Sequence, residues 1–292
     1  MERHGAYNAD GTRSTFQCSR ITMRRRCLAV VPLERVNRLQ SLDADSYDWV
    51  FARTWAEATD IIRTQPIDLG IIDPLIHGAS GIDEVETMRA LFPSLPLLLY
   101  CTLTPETAAV LLRLGRVGIQ RVLFARFEDA PANLQRAIIK ELEHTALKHV
   151  VRSLDTYLER LPDRLRQALE VSLHAPPDRM SVESLAEQAQ LSRRECQECF
   201  ARAQLPAPRI VMALIRLLYA HRLLQDPGYT IDDVTQKLGY ARPRTLQTQL
   251  RAVFGMTGGE LRDLTTATAT DAVVQRYFAA STDEADLVLA SG

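Results

Sequence analysis

Arg193, Arg194, Gln197, Glu198 and Arg202 recur at spacings that line the outside of a helix, while Cys196, Cys199 and Phe200 fall on its other face. About fifty residues on, Arg242, Arg244, Thr245, Gln247, Thr248 and Arg251 stand against Leu246, Leu250, Val253 and Phe254. Arginine offers a planar fork of donors that fits guanine, glutamine pairs with adenine, and glutamate accepts from cytosine. A helix that buries one face and shows Arg and Gln on the other meets the requirement for reading a major groove.

Other residues suggest different chemistry and carry it less far. Cys196-Gln-Glu-Cys199 has the spacing of metal and redox sites, but no second pair and no paired histidines complete a zinc set. Both thiols sit where an inward face is needed, so they read as small core residues, with a thiol sensor as the alternative. The histidines at 77, 144, 149, 174 and 221 show no i,i+4 pairing. No glycine-rich phosphate loop, nucleophile elbow or paired-carboxylate motif occurs. We therefore expect no catalytic residue, no metal and no cofactor, and a protein that is not an enzyme.

Two pairs of helices must position the Arg and Gln faces. In the first, Ser181 caps a helix that buries Val182, Leu185 and Ala186, Leu191 fills a turn, and Ser192 caps the second helix. In the second, the stretch from Thr230 to Tyr240 supplies the supporting helix, ended by Gly239 at a C-cap position. Pro243 is tolerated in the first turn of the helix that follows. Between the pairs, Pro208 to Leu224 predicts a connecting helix of about 17 residues, roughly 25 Å long. Such a helix can set two reading helices about one DNA turn, roughly 34 Å, apart.

These residues resemble the DNA-binding domain of the AraC/XylS family of transcription regulators. The resemblance rests on Ser-Val-Glu-Ser-Leu-Ala at 181–186, Leu191-Ser192, Arg216-Leu217, Ala220 and Leu223-Leu224. It is strongest from Thr230-Ile231 through Leu238-Gly239-Tyr240 to Phe254-Gly255. By resemblance, base reading falls on Arg194, Gln197 and Glu198 in the first unit and on Arg244, Thr245 and Thr248 in the second. Arg193, Arg202, Arg242 and Arg251 are placed to contact phosphates. The chain departs from the family after Phe254-Gly255, where Gly258 and Leu261 replace a proline and an aromatic residue. It also carries Leu205-Pro206 where a glycine-containing turn is usual.

The first half alternates apolar runs with amphipathic stretches. Strands are expected at Cys27–Val31, Trp49–Ala52, Leu69–Ile72, Leu97–Cys101 and Val117–Leu123. Helices are expected at Leu33–Leu42, Trp55–Arg63, Ile82–Leu91 and Pro105–Leu114. That alternation predicts a flavodoxin-like doubly wound parallel sheet. Asp68-Leu-Gly-Ile-Ile-Asp73 and the residues to Gly78 resemble the third strand and following loop of response-regulator receiver domains, with Asp73 at the phosphoacceptor position. Receivers add an acidic pair after the first strand, a hydroxyl after the fourth and a lysine after the fifth. Here those places hold Pro32-Leu33, Cys101-Thr102 and Ala125. The resemblance therefore implies a degenerate, receiver-like domain in which phosphorylation of Asp73 is the minor alternative.

The chain has 292 residues, 46% of them hydrophobic and 24% charged, with a net charge of −1. These values fit about two globular domains and give no global attraction to nucleic acid. Residues 179–262 hold twelve basic against eight acidic side chains, a mild local excess. We read residues 1–26 as a disordered tail, 27–142 as the receiver-like α/β domain and 143–178 as a helical linker. Residues 179–262 form the double helix-turn-helix domain, and 263–292 a poorly ordered C-terminal tail. Five scattered cysteines and no apolar run of membrane length suggest a reduced, cytoplasmic compartment, associated with the nucleoid. The expected protein is a sequence-specific regulator of transcription on double-stranded promoter DNA. It would act as a homodimer, engage RNA polymerase, and answer to dimerisation or a partner through its receiver-like half. The alternatives are an interaction adaptor with a residual DNA module, and a phospho-switched response regulator.

Overall fold

The computed structural model describes residues 24–278, apart from 44, 77–80, 117, 120 and 175–180. The expected N-terminal tail therefore lies almost wholly outside the described residues, and so does the end of the chain.

Five short strands, β1 (Arg25–Val30), β2 (Tyr47–Phe51), β3 (Leu69–Ile72), β4 (Leu97–Cys101) and β5 (Val122–Phe124), pair in parallel. Their order is β2-β1-β3-β4-β5, the doubly wound, flavodoxin-like arrangement. Alternate residues feed two apolar layers, because successive side chains on a strand point to opposite faces. Leu28, Val30, Ile72 and Leu99 pack with α2 (Trp55–Thr64), α3 (Gly81–Leu91) and α4 (Pro105–Arg116) through Ile62, Val85, Met88 and Val110. Cys27, Ala29, Ile71, Leu98 and Tyr100 pack instead with α1 (Leu33–Gln40) and the start of α5 (Pro131–Ser153) through Leu39, Leu134 and Ile138. β5 is shorter than the expected 117–123. Gly118, at a φ of 86°, turns the chain out of α4, and the Ile119 amide returns to the Leu114 carbonyl. That backbone caps a helix and cannot join the sheet.

A second core begins inside α5 and continues through α6 (Asp155–Leu158) and α7 (Asp163–His174). The stretch expected as a linker thus places Val150, Leu154, Leu158, Leu165 and Leu169 in one apolar cluster with the helices that follow. These are α8 (Val182–Gln188), α9 (Arg193–Arg202), α10 (Pro208–Gln225), α11 (Ile231–Lys237) and α12 (Pro243–Phe254). α10 runs through the middle, with Leu214, Ile215, Leu217 and Leu218 buried. Burying faces all round suits a helix of central position more than an amphipathic stripe does. The chain after Arg262 is not a loose tail throughout. Thr265 caps α13 (Thr266–Val273), and Ala269 and Val273 complete the core.

Candidate nucleic-acid interface

Each of the two helix pairs is built from the same local devices. Ser181 and Thr230 accept the backbone N–H of Ser184 and Asp233, starting the supporting helices α8 and α11. The turns then repeat bond for bond. The Gln190 and Leu191 amides donate to the carbonyls of Glu187 and Ala186, and those of Gly239 and Tyr240 donate to Gln236 and Thr235. Both turns need a residue at positive φ, 55° for Gln190 and 66° for Gly239. Ser192 then opens α9 with a reciprocal capping box, its Oγ accepting from Glu195 N–H while the Glu195 carboxylate accepts from Ser192 N–H at 2.7 Å. α12 opens on Pro243, with Arg242 as an extended N-cap and no side-chain cap.

Arg193, Arg194, Gln197, Glu198, Arg202, Arg242, Arg244, Thr248 and Arg251 are exposed, and Thr245 is half-buried. The inward faces are Cys196, Cys199 and Phe200 on α9 and Leu246, Leu250 and Val253 on α12. Both cysteines are free thiols in the core. Burial pushes the Cys196 thiol up to about 11, so it stays protonated at neutral pH. Among the described residues, no group of three or more His, Cys, Asp or Glu is arranged to hold a metal ion.

Charge is distributed differently on the two faces. Arg193 pairs with Glu183 at 2.7 Å, and Arg194 Nε donates to Glu198 at 2.9 Å across one helical turn. At the start of α12, Arg242 and Arg244 form no ion pair among the described residues. The second turn is also braced more firmly. Arg216 from α10 donates to the Leu238 carbonyl, and its guanidinium lies 4.7 Å from the Tyr240 ring centroid. The Tyr240 hydroxyl reaches Gln249 Oε1 at 3.0 Å. After α9, the left-handed residue before Leu205-Pro206 is Gln204 at a φ of 56°, which does the work expected of a glycine there.

The carboxyl edge of the sheet holds Asp73 between β1 and β3, where the strand order reverses and doubly wound folds bind ligands. Its carboxylate is already engaged. Arg35, projecting from α1, donates from Nη1 to Asp73 Oδ2 at 2.5 Å and to the Tyr100 carbonyl at 2.6 Å, and from Nη2 to Thr102 Oγ1 at 2.7 Å. Asp73 Oδ1 accepts from the Leu75 amide. Arg35 and Asp73 are 4% and 5% exposed, so the guanidinium fills the space beside the carboxylate. With Pro32 and Leu33 contributing no oxygen ligand and Oδ2 facing a fixed cation, these residues do not fit a magnesium ion. Sequence reasoning missed Arg35. A basic residue in the first turn of the helix after β1, close to the carboxyl end of the sheet, was the only signal for it.

Residues 185–263 match the family model described as a helix-turn-helix domain. No curated protein matches the chain. Among solved structures, full-length FixJ from B. japonicum is similar at 14% identity and a TM-score of 0.37, over 76% of this chain and 100% of that one. No helix among the described residues is long and apolar enough to cross a membrane. Residues 185–263 are thus similar to a helix-turn-helix domain and follow a five-stranded parallel α/β domain.

Proposed function

We propose that this chain is a cytoplasmic, sequence-specific regulator of transcription that docks α9 and α12 in successive major grooves of promoter DNA. One observation carries the reading. Two structurally equivalent helices bury an apolar face and turn outward the Arg, Gln, Glu and Thr positions predicted to meet bases and phosphates, all exposed but the half-buried Thr245. Arg194, Gln197, Glu198, Arg244, Thr245 and Thr248 would read base edges, and Arg193, Arg202, Arg242 and Arg251 would hold phosphates. The receiver-like half would control the module through a protein partner or homodimerisation, with RNA polymerase as the downstream contact. Asp73 is held by Arg35, which supports control without phosphate.

Genome-wide crosslinking and sequencing of bound DNA tests this reading, with the Arg194→Ala, Arg244→Ala double variant as comparison. Discrete occupied sites that the double variant loses are expected. Unchanged occupancy and regulation would favour an interaction adaptor with a residual DNA module. A Mg²⁺-dependent adduct on Asp73 with a small-molecule phosphodonor would favour the phospho-switched reading.

A further inference from the structure

Besides sharing α5, the two halves meet at the edge of the sheet opposite Asp73, through polar contacts at the approach to the second helix-turn-helix unit. The turn between α10 and α11, residues 226–229, lies against the amino ends of β3 and β4. Ser94 bonds the Asp226 carboxylate, Arg222 donates to the Pro93 carbonyl at 2.5 Å, and the Tyr229 hydroxyl donates to the Ile67 carbonyl at 3.1 Å. Gly228 is in such close backbone contact that a Cβ there would stand 2.2 Å from the Ile62 carbonyl oxygen and 2.4 Å from that of Gln65. At the far end of α11, Lys237 forms an ion pair with Asp68, both side chains being only 15% exposed.

Lys237 is the single cation of α11, whose other charges are Asp232 and Asp233. In a helix-turn-helix unit, the first helix lies across the phosphate backbone. Here its cation is turned away from that task. The ammonium bonds Asp68 Oδ1 and the Tyr229 hydroxyl at 2.9 Å, and it sits 5.1 Å from the Tyr229 ring centroid. Asp68 is itself fixed by the Arg26 amide at 2.9 Å. Meanwhile α12 keeps Arg244, Gln247, Thr248 and Arg251 exposed with the halves docked. Docking therefore leaves the reading face open while it engages the cation of α11, the helix before it.

We propose that Asp68 competes with DNA phosphate for Lys237, so that the receiver-like half restrains DNA binding through one ion pair and not by covering the reading helix. The proposal rests on the DNA-binding reading above. Because linkage is reciprocal, DNA that captures Lys237 weakens the docking, and a partner that pulls the halves apart strengthens DNA binding. Burial pushes the Asp68 carboxyl up, but the adjacent Lys237 ammonium overrides it and holds the group low, so the ion pair persists at neutral pH.

The test is the salt dependence of duplex affinity for the full chain, measured by fluorescence anisotropy on a site recovered by the crosslinking experiment. Asp68→Asn keeps an acceptor for Arg26 N–H and releases Lys237. It should bind about three- to tenfold more tightly, with a slope of log affinity against log salt steeper by about 0.9, the increment for one phosphate. Lys237→Gln alone should change affinity less than about twofold, and the Asp68→Asn, Lys237→Gln double variant should return to the parent slope. Gly228→Ala separates the backbones without altering any charge and should reproduce the gain, which covers the case of a poorly folded Asp68→Asn. An unchanged slope in both opening variants overturns the proposal, as does a gain that survives loss of Lys237. Arg244→Ala distinguishes the two layers of argument. If it weakens binding while the opening variants match the parent, only the competition fails; if no variant alters binding, the DNA-binding reading fails.

Discussion

The two helix-turn-helix units share a turn geometry and differ in how each is finished. The first uses Gln190 where the second has Gly239, ties Arg193 and Arg194 to Glu183 and Glu198, and has a capping box at the start of its reading helix. The second leaves Arg242 and Arg244 without an ion pair among the described residues, braces its turn with Arg216 and Tyr240, and is the one approached by polar contacts from the α/β half. On the proposed DNA-binding reading, the difference separates two jobs. A face with unpaired arginines can engage DNA without first breaking anything, whereas a self-paired face must exchange an internal carboxylate for a base or phosphate. The second unit is thus suited to anchoring, and the first to discrimination, where a poor exchange is penalised.

The largest predicted asymmetry is in pH dependence. The second unit is entered through Asp226, which is 2% exposed, while the described residues of the first bury no carboxylate. Burial raises the Asp226 carboxyl to about 6, against the opposing pull of Ser94, Arg222 and Arg89. A raised carboxyl favours the folded state below the ordinary carboxylate range, and that contribution is lost as pH climbs through about 6. Urea unfolding should therefore show the advantage of Asp226→Asn over the parent growing by about 2–3 kcal/mol between pH 4 and 7.5. A constant gap would place the Asp226 charge in solvent and remove the asymmetry.

Next in size is the cost of losing a reader. Arg244→Ala should weaken specific-site affinity by about 1–3 kcal/mol, and Arg194→Ala by less, because Arg194 must first leave Glu198. Anisotropy titrations with both variants, alongside Glu198→Gln to free Arg194, would sharpen the contrast. Equal losses for the two arginines would erase it.

The smallest effects lie in the turns and have opposite signs. Gly239→Ala forces a Cβ into left-handed backbone and should destabilise the chain by about 1–2 kcal/mol. Gln190→Gly relieves the same strain and should stabilise it by about 0.5–1 kcal/mol. Thermal unfolding of both variants would measure the pair, and a matching sign would mean that the turns are not equivalent.

How much of this was legible in the sequence depended on range. Period and punctuation are local, so β3, β4, the caps at Ser181 and Ser192, and the outward faces of α9 and α12 could be read directly. Asp73 could be placed at a strand end by its neighbours, but not its partner. Arg35 lies 38 residues away, on a helix whose pattern suits a solvated arginine. The Asp68–Lys237 pair spans 169 residues and leaves no periodic trace. Gln190 and Gln204 escaped for another reason. Left-handed turns are foreseen from glycine or asparagine, and tertiary packing here imposes the conformation on a residue that does not announce it.

Helix α5 belongs to both cores. Leu134 and Ile138 lie against the sheet, while Val150 and Val151 lie against the helices of the second half. Its 23 residues span about 35 Å without a break. On a ribosome the amino-terminal half emerges first. Starting a helix is the slow, unfavourable step and extending one is not. The sheet can hold the opening turns of α5 while the remainder is still being made, so the second core condenses on a helix already under way. A fragment cut at residue 142 would have to begin that helix unaided, and its refolding rate would reveal how much the earlier half contributes to the later one.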